Sequence, residues 1–229
     1  MTTPASEPTI AVLLSGGLDS ATLLGTLIRR GRRVQPLYVR SGLIWEHAEL
    51  RAIHRFLQAL DSPRVAKLAI LDLPVQDVYG EHWSITGDGS PDASSLDNAV
   101  YLPGRNLILL VKAGLWCRLH GIRRLALGVL ASNPFADATP GFFRRLETVM
   151  NLALGGEVRI VRPLARLHKR QVMKLGRDLP LELTFSCIAP VGGLHCGRCN
   201  KCAERANAFA MIGRDPTRYA TPLGTRSGS

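Results

Sequence analysis

The stretch Ser15-Gly16-Gly17-Leu18-Asp19-Ser20 constrains the fold most, because an apolar run from Thr9 to Leu14 precedes it and a helix-patterned segment follows. A buried strand that breaks into two glycines and then a helix leaves several backbone N–H groups unpaired and pointing one way. Such a turn is a phosphate cradle. Ser15 and Ser20 add hydroxyl donors, the glycines admit anionic oxygens close to the backbone, and the helix N-terminus adds partial positive charge. The spacing is too short for a Walker A loop, and no Gly-Lys-Ser/Thr follows. Gly-Gly and Asp-Ser also occur in ordinary turns, so the motif counts only through its strand-before, helix-after context.

That context continues down the chain. Ile10 to Leu14 reads as a strand, Leu18 to Arg30 as a helix, Val34 to Val39 as a strand, Trp45 to Leu60 as a helix and Val65 to Leu71 as a strand. On the second helix Leu50, Ile53, Phe56, Leu57 and Leu60 share one side, with Glu46 and Glu49 largely off it. The alternation predicts an α/β fold with a doubly wound parallel sheet and right-handed crossovers. Residues 72–99, rich in Asp, Ser, Gly and Pro, break the rhythm and read as a mobile segment or a lid. A helix over 107–120, a strand over 124–129, a helix over 140–154 with Pro140 in its first turn, a strand over 158–161 and a helix over 171–179 follow. The expected organisation is an α/β domain over 9–179, a cysteine-bearing cap over 180–213 and a disordered tail over 214–229.

The chain carries a net charge of +11, which points to anionic partners such as nucleotides or RNA. The arginines are scattered in pairs (Arg29-Arg30, Arg32-Arg33, Arg123-Arg124, Arg144-Arg145) without a polybasic run or interleaved aromatics. That pattern favours a generally basic surface over a nucleic-acid groove. Met1 to Thr9 lack a basic start and an apolar core, and no apolar stretch approaches the ~20 residues of a membrane span. A cytoplasmic protein is expected, with no membrane partner.

Four of the five cysteines fall in Cys187-x8-Cys196-Gly-Arg-Cys199-Asn-Lys-Cys202. Cys-x2-Cys knuckles bring thiolates onto one centre, and four thiolates leave no open position, so a structural Zn2+ is expected. Tight Cys-x2-Cys-x2-Cys runs also occur in iron–sulfur sites, which is the competing reading. Arg198, Lys201 and Arg205 surround the net negative charge of such a centre. Cys117, on a helix away from the cluster, reads as a buried apolar thiol.

The loop Ser15–Ser20 resembles the SGGxDS pyrophosphate loop (PP-loop) of the ATP-pyrophosphatase family, whose members cleave ATP between the α- and β-phosphates. Ser186-Cys187 with Cys196-Gly197-x-Cys199-x-x-Cys202-x-x-Arg205-x-x-Ala208-Phe209 resembles the C-terminal signature of the 7-cyano-7-deazaguanine synthase (QueC) family. Leu102-Pro103-Gly104-Arg105-Asn106 is similar to that family's V-P-G-R-N segment. Pro163-Leu164, Leu167-x-Lys169 and Leu175-Gly176 are similar to its T-P-L…L-x-K…L-G segment. The matches run in order from residue 9 to 209.

The resemblance implies an adenine nucleotide alpha hydrolase-like (Rossmann-like) fold with a zinc-binding cap and, with it, a reaction of queuosine biosynthesis. It implies an ATP-dependent ligase that adenylates a deazapurine carboxylate, reacts it with ammonia to give an amide, and activates the amide for dehydration to a nitrile. It also implies a role for each matched position. Leu13, Leu14 and Ser15 to Ser20 (Gly16, Gly17, Leu18 and Asp19 between them) would bind ATP. Lys169, Asp19 and Ser20 would be catalytic, with Lys169 on the leaving pyrophosphate and Asp19 contacting Mg2+. Arg105, Asn106 and Asp137 would face the substrate, and Cys187, Cys196, Cys199 and Cys202 would hold Zn2+. A chain of 229 residues leaves no room for a glutaminase domain, so free ammonia is the expected nitrogen source. A homodimer is implied by the resemblance alone. Two strand exits depart from the family. Val39-Arg40-Ser41-Gly42-Leu43 replaces a Y-G-Q-x-H segment, and Phe135-Ala136-Asp137-Ala138-Thr139-Pro140-Gly141-Phe142 replaces a Y-P-D-C-R-P-E-F loop. A tRNA-modifying PP-loop enzyme and a nucleotide-binding relative with a different acceptor are the other readings of the same loop.

Overall fold

The computed structural model describes residues 8–213 and 215–223. The N-terminal stretch before residue 8, residue 214 and the end of the expected tail, 224–229, lie outside the described residues. Five strands, β1 (Ile10–Leu13), β2 (Val34–Arg40), β3 (Ala69–Asp72), β4 (Arg124–Ala126) and β5 (Arg159–Val161), form one parallel sheet in the order β3-β2-β1-β4-β5. The helices are α1 (Leu18–Arg29), α2 (Glu46–Leu60), the short α3 (Gln76–Tyr79) and α4 (Trp83–Thr86), α5 (Arg105–Leu119), α6 (Pro140–Leu154), α7 (Lys169–Gly176) and α8 (Asn200–Ala210). Among the described residues no helix is long and apolar enough to cross a membrane.

The alternation along β1 builds both faces of the core. Ile10, Val12 and Leu14 pack with Leu23 and Leu27 of α1, Ile53 and Phe56 of α2, Met173 of α7 and Phe209 of α8. Ala11 turns the other way, onto Leu110, Ala113 and Cys117 of α5 and Phe143, Leu146 and Met150 of α6. Burial pushes the Cys117 thiol up to about 12, so it is an inert core residue as expected. Because strand order reverses between β1 and β4, their carboxyl ends open a crevice, where doubly wound sheets bind ligands.

The structure corrects several boundaries. The ladder of β3 begins at Ala69 rather than Val65. Val65 bridges Val34 and Ala69 pairs with Leu37, so this strand spends one more residue than β2 over the same span and the pairing is interrupted. Helix α7 starts at Lys169 rather than Gln171, because the Gln171 side chain accepts the His168 N–H at 2.8 Å and closes the first turn. Helix α6 spans the predicted residues, with Pro140 at its start and the Thr139 hydroxyl accepting the Phe142 N–H. Glu46 and Glu49 are buried rather than off the core. Each has found a donor, which makes burial affordable: the Glu46 carboxylate accepts the backbone N–H groups of Ser41 and Gly42, and Glu49 accepts the Tyr38 hydroxyl at 2.7 Å.

Residues 72–99 are tied down instead of free. Trp83 stacks on Trp45 at 5.7 Å, the Ala93 N–H donates to the Arg198 carbonyl, and Asn200 Nδ2 donates to the Ser95 carbonyl. Residues 215–223, expected as part of the tail, are hydrogen-bonded to the cap. Thr221 Oγ1 donates to the Cys196 carbonyl, the Ala220 N–H to the His195 carbonyl, and Thr217 Oγ1 accepts from Arg205 Nε. These partners are distant in sequence, so local composition carries no sign of them.

Candidate functional site

The glycine loop leaves β1 and turns into α1 at the crevice. Gly16 has φ +79, and a Cβ there would stand 3.2 Å from Ile53 Cγ1 and 3.3 Å from the Glu49 carbonyl, so only glycine lets the loop lie against α2. Gly128, at the exit of β4, makes an equally close approach. A Cβ there would meet the Asp19 carbonyl and the Ser20 nitrogen at 3.2 Å, so the two strand exits touch through backbone. Ser15 and Ser20 hydroxyls lie 3.2 Å apart, and Ser20 Oγ donates to the Gly17 carbonyl.

The loop floors a cavity of about 330 Å³, within the range of small-ligand clefts. Leu13, Ser15, Gly17, Leu18, Asp19 and Ser20 line it; Leu14 instead sits in the core, and Gly16 packs on α2. Arg105, Asn106, Asp137 and Lys169 line the same cavity, where Asp19 and Lys169 meet from 150 positions apart. Lys169 Nζ donates to both Asp19 oxygens, at 2.8 and 2.9 Å, and lies 3.0 Å from Glu204 Oε1. Lys201 Nζ reaches Glu204 Oε2 at 2.6 Å. Burial pushes the Asp19 carboxyl up against the opposing pull of Lys169. Burial also works to raise Glu204, but Lys169 and Lys201 overcome it and hold the carboxyl at about 2. For Lys169 the two carboxylates outweigh burial, and the ammonium stays charged.

On the acceptor side, Arg105 stands over Trp45, 5.8 Å from the ring centroid. Tyr101 and Phe135 pair at 5.1 Å along the same wall. Asp137 is engaged by the start of α5: its Oδ2 accepts the Asn106 N–H at 2.9 Å, and its carbonyl and Oδ1 accept from Asn106 Nδ2. It therefore satisfies a first-turn donor of that helix while facing the cavity.

The sequence reading missed Glu49, Lys201 and Glu204 as cavity residues. For Lys201 and Glu204 the signal was their place beside Cys202, one residue before it and two after; for Glu49 it was a carboxylate three residues before Ala52 and four before Ile53 on a buried helix face. Burial raises the Glu49 carboxyl from its ordinary 4.5 to about 7, opposed by Arg105 and Tyr38. A raised folded-state value means the folded protein holds the proton more tightly. Its contribution to stability is therefore full below pH 4.5, declines as the pH rises to 7, and is flat above. The loss is about 3 kcal/mol. Glu49→Gln is expected to remove that decline, and unfolding free energies measured at pH 4.5 and pH 8 would reveal it; an unchanged pH dependence would place the proton elsewhere.

The cap brings Cys187, Cys196, Cys199 and Cys202 together, with all four sulfurs buried and within 4.8 Å of one another. The Sγ–Sγ distances of 3.8 Å for Cys187–Cys199, 3.8 Å for Cys196–Cys202 and 3.5 Å for Cys199–Cys202 match the roughly 3.8 Å edge of a tetrahedron with Zn–S bonds of ~2.3 Å. That spacing suits one ion and leaves no volume for the bridging sulfides of a multi-iron cluster. Five backbone N–H groups, of Ala189, Cys196, Gly197, Arg198 and Cys199, point at the sulfurs from 3.3 to 3.4 Å, which offsets thiolate charge. No disulfide joins the cysteines. The site packs on Trp45, just before α2, and on Ala48 and Ala52 of that helix, and the Phe185 N–H donates to the Gly16 carbonyl at 2.8 Å, which fastens the cap to the phosphate loop. Arg205 is fully buried behind it. Its guanidinium donates to Thr184, Thr217 and the Leu181 carbonyl, and burial lowers it to about 10.

The family model of the queuosine biosynthesis protein QueC matches residues 9–213. The 7-cyano-7-deazaguanine synthase of Azoarcus sp. (strain BH72) is 34% identical over 226 residues, covering 93% of this chain and 97% of that protein. The synthase of the same name from Xylella fastidiosa (strain 9a5c) is 35% identical over 222 residues, covering 91% and 94%. Among solved structures, a 4-thiouridine synthetase in complex with RNA and bound ATP superposes with a TM-score of 0.51 at 15% identity. That match covers 90% of this chain and 50% of the other, a likeness of fold alone.

Proposed function

We propose a reaction from one premise: the chain belongs to the family of the queuosine biosynthesis protein QueC and is an enzyme of that type. The reaction is ATP-dependent conversion of 7-carboxy-7-deazaguanine, or a related deazapurine acid, to the nitrile. The carboxylate attacks the α-phosphorus, giving an acyl-adenylate and pyrophosphate. Ammonia displaces AMP to leave the amide. A second ATP then adenylates the amide oxygen, and loss of AMP with the nitrogen's protons gives the nitrile.

What supports this reading is one observation: Lys169, on α7, lies against Asp19 of the glycine loop, at the carboxyl ends of β1 and β4. The negative charge that builds on the leaving pyrophosphate would meet that ammonium, the loop N–H groups and the Ser15 and Ser20 hydroxyls. Asp19 and Ser20 offer the hard oxygen donors that suit Mg2+, which would neutralise phosphate charge when bound with the nucleotide. Trp45, Tyr101 and Phe135 offer aromatic faces to a flat base, and Arg105 a charge for its carboxylate. Asp137 keeps lone pairs beyond those taken by Asn106 and is our candidate for the base N1–H and 2-amino group.

The protein incubated with 7-carboxy-7-deazaguanine, ATP, Mg2+ and ammonium is expected to yield the nitrile by mass spectrometry, with two AMP and two pyrophosphate formed per nitrile. An amide that accumulates without further turnover would remove the second activation from the proposal. No pyrophosphate release with this acid would overturn the acceptor assignment.

A further inference from the structure

We infer that the first turn of the cap helix α8 completes the pyrophosphate end of the cavity: Lys201 is a second ammonium that contacts the phosphates, and Glu204 is the positioning residue that holds it beside Lys169. The inference deepens the ATP-dependent reading above and rests on it for the identity of the anion.

An i,i+3 Lys–Glu pair on a helix surface ordinarily does little. This one differs in where it points and in what else it touches. Lys201 and Glu204 both line the cavity floored by the glycine loop, and the second oxygen of Glu204 reaches Lys169, which comes from another helix. Asp19, Lys169, Glu204 and Lys201 therefore alternate in sign along one wall and sum to zero charge. The donors are unevenly used. Lys169 donates to both Asp19 oxygens and is ion-paired with Glu204 at 3.0 Å, so two carboxylates already hold it. Among the described residues Lys201 has the single bond to Glu204, which leaves two donors for an arriving phosphate. Lys201 is thus the ammonium able to meet an anion with no prior rearrangement, and Lys169 must give up a carboxylate to do so. Glu204 keeps both lysines at the wall during that exchange.

Equilibrium titration with inorganic pyrophosphate, with an ATP analogue carrying an α,β-methylene bridge, and with AMP tests the assignment. Lys201→Met is expected to weaken pyrophosphate and the analogue about tenfold or more, the scale of one charge-assisted hydrogen bond, and to leave AMP within about twofold. Lys201→Arg should restore most of the loss. Glu204→Gln should weaken pyrophosphate in the otherwise native chain and have much less effect when combined with Lys201→Met, because it acts through the lysine. Arg55→Ala removes an exposed charge of α2 that does not line the cavity and should change nothing. Zinc content of one per chain and a near-native Tm would certify each variant as folded. Unchanged pyrophosphate binding in Lys201→Met, equal loss of AMP, or an equal loss in Arg55→Ala would each overturn the inference. Wild-type protein that binds pyrophosphate yet makes no nitrile would count against the reaction above, and the Lys201→Met comparison would still decide this point.

Discussion

Lys169→Ala is expected to lower kcat/KM for pyrophosphate release by about a thousandfold or more, the largest catalytic effect of any single change in this cavity. Two losses combine. The ammonium that would stabilise charge on the leaving group is gone, and removal of one such preorganised donor alone costs about 10²–10³ in kcat. The two carboxylates it bridges, Asp19 and Glu204, also remain beside the phosphate position with nothing between them, so the wall changes from neutral to net negative where an anion must sit. The loss should appear in kcat as well as in KM for ATP, because the charge on the departing pyrophosphate exceeds that in the ground state. Steady-state assays of AMP formation would check this, and a variant that retains even a tenth of wild-type kcat would remove Lys169 from the catalytic assignment.

Cys202→Ala is expected to have the largest effect on stability. Cys202 Sγ accepts the Gly197 N–H and lies 3.5 Å from Cys199 Sγ and 3.8 Å from Cys196 Sγ, so its loss opens a closed tetrahedron. Structural zinc sites supply apparent binding energies of about 10–16 kcal/mol that act as folding energy. Even a third of that, at roughly 2–4 °C per kcal/mol for a chain of this size, predicts a fall in Tm of about 10 °C or more. The variant should purify without zinc, as judged by metal analysis. It should also bind nucleotide poorly, because the Phe185–Gly16 hydrogen bond anchors the phosphate loop to the cap. A metal-free variant with native Tm and native nucleotide binding would show that the cap and loop are independent.

The sequence disclosed most of what is periodic or locally spaced. The order of strands and helices followed from alternation at 2 and 3.6 residues, and the Cys-x2-Cys spacing announced a tetrahedral site. Pro140 and Thr139 marked the start of α6. Legibility failed where a residue's role depends on a distant partner. Glu46 and Glu49 looked like solvated helix charges because their donors, at Ser41, Gly42 and Tyr38, lie on the preceding strand and loop. Thr217, Tyr219 and Thr221 looked like an untethered tail because the groups they meet belong to the cap and, for Tyr219, to Asp215. Asp137 looked free for a ligand because its engagement with Asn106 joins positions 31 apart. Lys201 was read only as charge balance for the cysteines and Glu204 was not singled out, since nothing local places the start of α8 against α7.

The span of the site along the chain sets when it can exist during synthesis. Its floor is made from residues 13–20 and its far wall from residues 201–205, with Phe185 bonded to Gly16 between them. A ribosome adding about 5–20 residues per second completes the last strand about 2–10 seconds before it completes α8. Until then the glycine loop faces solvent with Lys169 lacking its Glu204 partner. Chains stalled before the cysteine cap would carry all five strands and yet lack the far wall of the cavity, so a complete site requires synthesis at least through Arg205.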